Sequence, residues 1–413
     1  MLKKIIGCLL VFTAFCISLK AQEVPKLRID PAQAYGGVVG DYFEEVNYIP
    51  LQTTKESLFG AISNMIVTDS SYVISDNDTR AVLFFKKDGT YITKVKLRKD
   101  EYPGISYETT TKRILLALYN SQTQKQVLQY YSLSGVKLDD HLKIKSSEKN
   151  QGMTSLGGGY YFDTESCYIE PGKKPVDSVI YALTIYKNEE IYKSFLPFNA
   201  AITPGKCALG FWPNFTPSNQ DSVFYVSTQY DNTIYRVTKD TVQKLYTLTF
   251  PYNRMISKDL LETTNPKQID SLRDNSYKMT DMISGVSNIH FEGDLLLFKI
   301  DQRSYMWTQG TEDTKQYNLI YNLKTGRLVS FERMTPDERS SFLPLMGGNY
   351  TSIRGLIYND GYFYSNVPSL HMFAAKENTT AKNPKYSSRM EKYFKTEDRK
   401  SNPVIVQMKL KKL

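Results

Sequence analysis

With 413 residues and 41% hydrophobic content the chain has ample material for a core, and with 17 Pro, 23 Gly and no low-complexity tract it is not extensively disordered. Its 31 Tyr and 20 Phe favour strands over helices. The formal charge of +9 is spread along the whole length with no basic stripe carrying interleaved aromatics, which argues against nucleic acid as a partner.

The N-terminus reads as an export signal. Lys3 and Lys4 precede an apolar run over residues 5–19, and Ala21 before Gln22 is a plausible cleavage point. A spanning helix needs roughly 20 apolar residues, and Lys20 ends this run too early. A lipid anchor on Cys16 would put bulky Phe15 where a small residue belongs, so soluble export is the expectation. No later segment is long and apolar enough to cross a bilayer. Cleavage after residue 21 removes Lys3, Lys4 and Lys20, leaving 49 basic against 43 acidic residues, a solvated surface of +6. It also leaves two cysteines, Cys167 and Cys207, which need not approach within bonding distance, and no bridge is expected between them.

Residues 22–42 read as a linker. From there a unit recurs: two short apolar strands, then a hairpin. The hairpins are "AVLFFKKDGTYITKV" (residues 81–95), "QYYSLSGVKLDDHLKI", "LTIYKNEEIYKSFL", "TIYRVTKDTVQKLYTL" and "LIYNLKTGRLVSFE", with turns at Gly89, Gly135, Asn188, Asp240 and Gly326. Asp88-Gly89 and Thr325-Gly326 supply the positive φ that tight hairpins need. Four strands per unit, repeated, is the pattern of propeller blades. Units start near Ala61, Ile105, Gly152, Phe211, Gly285 and Thr351. The sixth unit lacks an outer strand, which residues 43–52 can supply from the other end of the chain. The expected fold is therefore all-β: a six-bladed β-propeller of four-stranded antiparallel blades over residues 43–413, closed by its N-terminal strand. A merged or split unit would make the count five or seven.

Three segments break the strand rhythm and read as helices. In "NPKQIDSLRDN" Asn265 is the N-cap and Pro266 opens the first turn, with Ile269 and Leu272 on one face. In "TPDERSSFL" Thr335 and Glu338 stand at capping-box spacing. Residues 387–397 form the third.

Residues 48–95 and the closing "NPVIVQMKLKK" resemble the two ends of an exported six-bladed β-propeller family, of NHL-like or TolB-like fold, common in Gram-negative bacteria with large glycan-foraging repertoires. Members often carry a Gly-Pro-Gly-Glu-Tyr-like turn after the first blade, of which "RKDEYPGIS" keeps Tyr102, Pro103 and Gly104. The resemblance implies a fold and an envelope location, since the family is largely without assigned activity.

Catalytic sets are missing. His141, His290 and His371 belong to no metal pattern, and there is no G-x-S-x-G elbow or phosphate loop. No metal or cofactor is expected. "SDNDT" lacks the Gly and Glu of a calcium loop and reads as a turn. The candidate site is the mouth formed by loops between the second and third strands and between blades: Asp76, Asp78, Arg80, Tyr230, Asp231, Asp301, Arg303, Tyr305 and Trp307 in the first set, Tyr102 and Trp212 in the second. Rings stack on apolar faces while charged groups hold hydroxyls or termini, which suits a glycan or a peptide. Each of these residues also has a bland reading, as a turn former or as inter-blade core. The expectation is a monomeric, non-catalytic binding propeller of the periplasm or outer cell surface. The rivals are a glycan lyase or hydrolase with channel carboxylates and a scaffold for another envelope protein.

Overall fold

The computed structural model describes residues 23–411 apart from 124, 140–153, 170–176, 188–189, 219, 221, 276–278, 280, 303–316, 348–355 and 382. The expected export signal, the Asn188 turn, the blade starts at Gly152 and Thr351, and Arg303, Tyr305 and Trp307 lie outside the described residues.

The hairpin at residues 81–95 shows how one unit is built. Ala81–Lys86 turns back into Tyr91–Lys96 through Gly89, whose φ of 89° lets the Gly89 amide reach the Lys86 carbonyl at 2.9 Å. Asn64–Val67 and Ser71–Asp76 complete an antiparallel four-stranded sheet. Every residue of Ser71–Asp76 is buried, whereas Tyr91–Lys96 is only half-buried. The inner strands are apolar on both faces because another sheet packs against each side.

Six such sheets form a ring. Blade 1 is the sheet just described; blade 2 holds Glu101–Glu108, Arg113–Asn120 and Lys125–Tyr131, with a bridge from Tyr131 to Lys137. Blade 3 runs Thr154–Gly157, Tyr160–Thr164, Val179–Lys187, Glu190–Asn199, and blade 4 runs Pro213–Pro217, Phe224–Thr228, Thr233–Val237, Val242–Thr249. Blade 5 runs Ile283–Glu292, Leu295–Gln302, Tyr317–Asn322, Leu328–Thr335. In blade 6, Ile357–Asn359, Tyr362–Val367 and Val404–Leu410 are completed by Phe43–Pro50, antiparallel to Val404–Leu410. First strands of neighbouring blades touch one another, so they line the axis.

Residues 26–38, inside the expected linker, carry two more strands. Lys26–Arg28 adds in parallel to the outer strand of blade 4 and Tyr35–Val38 to that of blade 5. The chain thus passes along the outer edges of blades 4, 5 and 6 in turn, covering backbone groups that would otherwise stand open.

The core is divided among the gaps between blades. Phe43, Leu297, Phe331, Phe363 and Val406 pack between blades 5 and 6, and Ile234, Leu248, Val286 and Phe298 between blades 4 and 5. Tyr72, Ile74, Tyr364 and Ile405 fill the seam between blades 6 and 1.

Of the expected helices, Pro266–Asp274 has Asn265 as its cap and Ile269 and Leu272 buried, and Ser388–Thr396 is capped by Ser387. The capping box before Glu338 is corrected: its members are Asp337 and Ser340, closing one 3-10 turn, while Thr335 ends the preceding strand. Asp337 wins because its carboxylate also receives the Gly40 amide at 2.8 Å, tying the turn to the N-terminal segment. A second correction concerns the cysteines. Cys167 and Cys207 form a disulfide, their Cα atoms 5.0 Å apart. The polypeptide between them makes an out-and-back excursion along Val179–Lys187 and Glu190–Asn199, which returns its ends to one place.

Candidate functional site

Strand alternation places the loops between second and third strands, and the links between blades, on one face of the ring. Three of the four carboxylates singled out there, Asp76, Asp231 and Asp301, are internally engaged. Asp76 is fully buried and accepts from the amides of Gly60, Ala61, Asp78 and Thr79, at 3.2, 3.2, 3.2 and 2.9 Å. Asp231 accepts from the Thr233 hydroxyl at 3.2 Å and the Tyr235 hydroxyl at 2.7 Å, so it organises its own turn. Asp301 accepts from Asn214 at 2.9 Å and Ser287 at 2.7 Å, joining blade 4 to blade 5. Burial raises its carboxyl above the usual range, opposed by the ammonium of Lys299 and by those two hydrogen bonds.

Asp78 and Arg80 are exposed, and Arg80 donates to the Lys99 carbonyl, fastening the loop to the link into blade 2. Tyr102, 55% exposed, begins blade 2. Trp212 is half-buried: its amide donates to the Gln229 side chain at 3.2 Å, and its ring covers Gly210. Tyr230 is buried at φ 63°, its amide held 2.6 Å from the Ser284 carbonyl. The described candidates therefore fall into two groups, one on blades 1 and 2 and one on blades 4 and 5.

Of the second group, Tyr230 lines a cavity of about 290 Å³. Ile256, Leu261 and Ile283 form its buried floor beside Tyr230, with Met255 alongside, and Lys206, Lys258 and Glu262 stand at its edge. Two insertions and one blade strand build it. The helix Pro204–Leu209 brings Lys206, the turn Lys258–Leu261 brings Lys258 and Leu261, and the first strand of blade 5 begins with Ile283. Gly205 is what lets the first two meet, since a Cβ there would run into the backbone of Leu260 and Leu261. The disulfide of Cys207 fastens the same helix to blade 3. Lys258 pairs with Glu262 at 3.7 Å, whereas Lys206 has no ion pair among the described residues.

Sequence reasoning reached Tyr230 and missed Lys206 and Leu261. A signal for the Lys206 helix exists: Pro204 opens it and Gly210, at φ 80°, ends it. His290 does not join the site. Its ring is buried between blades 5 and 6, with Nε2 3.1 Å from the Leu356 carbonyl, and burial pulls its pKa down to about 4. Among the described residues no group of three or more His, Cys, Asp or Glu could hold a metal ion, and no helix is long and apolar enough to cross a membrane.

Residues 28–409 match the family described as a domain of unknown function, DUF4934. The chain belongs to this family. Among solved structures, it is similar to a Bacteroides fragilis protein assigned as exported, with TM-score 0.63 and 14% identity over 94% of this chain and 100% of that one. A DUF4221 member from Bacteroides vulgatus aligns with TM-score 0.47 and 8% identity, over 89% of this chain and 97% of that one. At 14% identity the likeness to the Bacteroides fragilis protein is one of fold. No curated protein matches the chain.

Proposed function

We propose that this DUF4934 protein is a non-catalytic, ligand-binding propeller of the bacterial envelope, and that the cavity beside Tyr230 receives its ligand, a glycan or peptide fragment bearing a carboxylate. The observation that carries this reading is the composition of the cavity. Its buried apolar floor and tyrosine wall suit the apolar face of a sugar ring or a side chain, and the Lys206 ammonium, which has no ion pair among the described residues, suits a carboxylate. Export is supported by the N-terminal apolar run, by the Cys167–Cys207 disulfide and by the exported assignment of the Bacteroides fragilis relative. Asp76, Asp231 and Asp301 each use their oxygens on internal hydrogen bonds, which counts against paired catalytic carboxylates on this face. Asp78, Arg80 and Tyr102 remain a second exposed contact area in this reading.

The test is a thermal-shift panel of neutral and acidic oligosaccharides and short peptides. A ligand selective for the native state at about 100 times its Kd adds about 2.7 kcal/mol. The expected result is a rise in Tm with a carboxylate-bearing member that Lys206→Ala abolishes. No rise with any member, or a rise indifferent to that substitution, overturns the reading.

A further inference from the structure

Lys87 follows the third strand of blade 1, so it lies on the face of the ring opposite the cavity. Its side chain enters the seam between blades 1 and 6, where Nζ stands 4.8 Å from the ring centroid of Tyr72 and 4.6 Å from that of Tyr364. The amine donates to the Tyr364 hydroxyl at 3.3 Å, and Gln407 donates to the same oxygen at 2.9 Å. The Tyr72 hydroxyl is buried with no hydrogen-bond partner among the described residues. No carboxylate forms an ion pair with Lys87 among those residues either.

A half-buried amine between two rings, with no ion-paired carboxylate among the described residues, sits in the surroundings that make lysine a nucleophile. Two influences compete. The ring faces attract an ammonium, whereas loss of water disfavours it. Desolvation is the larger cause and pulls the Lys87 pKa down to about 8, opposed by the charges of Asp69 and Asp360 in neighbouring turns. Lys86, whose charge is felt at Asp88, and Arg389, felt at Tyr72 and Asp88, are cations on the same side.

We propose that Lys87 is a selectively reactive amine at which the protein takes up small aldehydes as imines. The neutral nitrogen adds to the carbonyl carbon and forms the C–N bond, while the carbonyl π pair moves to oxygen, which receives a proton released by nitrogen. That hydroxyl then leaves as water with the second nitrogen proton, and the C=N bond remains. No oxidant or reductant enters.

The folded full chain is treated at pH 7.5 with glycolaldehyde and sodium cyanoborohydride, which reduces any imine to a stable secondary amine, and labelled peptides are quantified by mass spectrometry. Exposed Lys86, one residue away, is the internal control. Lys87 is expected to carry about tenfold or more label than Lys86, because desolvation between the two rings favours its neutral, nucleophilic form. The preference disappears in urea, and Lys87→Arg removes the dominant labelled site. Equal or greater labelling of Lys86 in the folded protein, or a preference that survives urea, overturns the proposal.

Discussion

Val46 stands directly opposite Met408, in a ladder that pairs Pro50 with Val404 at one end and Phe43 with Leu410 at the other. A strand from the start of the described chain thus completes a sheet whose other members come from its end. Phe43 is the deepest anchor of that strand, fully buried and 5.8 Å from the ring of Phe331 in blade 5. Phe43→Ala leaves a cavity at the contact between two blades and is expected to destabilise the fold by about 3 to 5 kcal/mol. The midpoint of urea unfolding reads this directly. A loss below about 1 kcal/mol would mean that the closing strand contributes little to stability.

The Cys167–Cys207 bridge joins residues forty apart and fastens the Lys206 helix to blade 3. Cross-links closing loops of this size contribute about 2 to 4 kcal/mol. Dithiothreitol is therefore expected to lower Tm in the parent protein. The double substitution of Cys167 and Cys207 by Ser should already melt lower and show no further response to reductant. Equal melting of reduced and oxidised protein would reject the contribution.

The hairpins were readable because Asp88-Gly89 and Thr325-Gly326 are local signals flanked by alternating apolar residues, and the Asn265 cap is equally local. What escaped the sequence depends on distance in space. Lys26–Arg28 is a three-residue strand held by backbone pairing to residues 247–249, with too few side chains to show a pattern. Cys167 and Cys207 meet because the intervening strands double back, which spacing alone does not reveal. The same holds for the cavity. Tyr230 sits in a legible loop, but Lys206 and Leu261 come from separate insertions brought together by the space Gly205 leaves empty.

Two buried groups give the protein opposing responses to acid. His290 protonates near 6.5 when unfolded but only at about 4 when folded, because burial disfavours the charged ring. Unfolding takes up a proton between those values, so this term weakens the fold as pH falls from 6.5 to 4 and is silent above 6.5; fully developed it amounts to roughly 3 kcal/mol. Asp163 is pushed up to about 6 by burial, from an ordinary 3.8, so the fold retains a proton that the unfolded chain releases. Its contribution rises as pH falls from 6 to 3.8. Relative to the parent, His290→Gln is therefore expected to gain stability on acidification, and Asp163→Asn to look best at pH 7.5 and worse at pH 4. Urea midpoints at pH 7.5, 5.5 and 4 check both signs, and differences from the parent that stay constant with pH would refute the assignment.

Gly205 offers the sharpest control over the cavity without touching its lining. Any Cβ at this position meets the Leu260 carbonyl and the Leu261 backbone, so the two segments must separate. Neither is the far end of a flexible side chain, which leaves no inexpensive relaxation. Forced overpacking of this kind costs about 1 to 3 kcal/mol. Gly205→Ala is thus expected to lower Tm and to weaken binding of any ligand that shifts the parent, with the β-sheet signal in far-ultraviolet circular dichroism unchanged. The substitution moves Lys206 away from Leu261 while leaving both side chains intact. Parental affinity in a stably folded Gly205→Ala protein would show that ligand recognition does not require the two helical segments to meet.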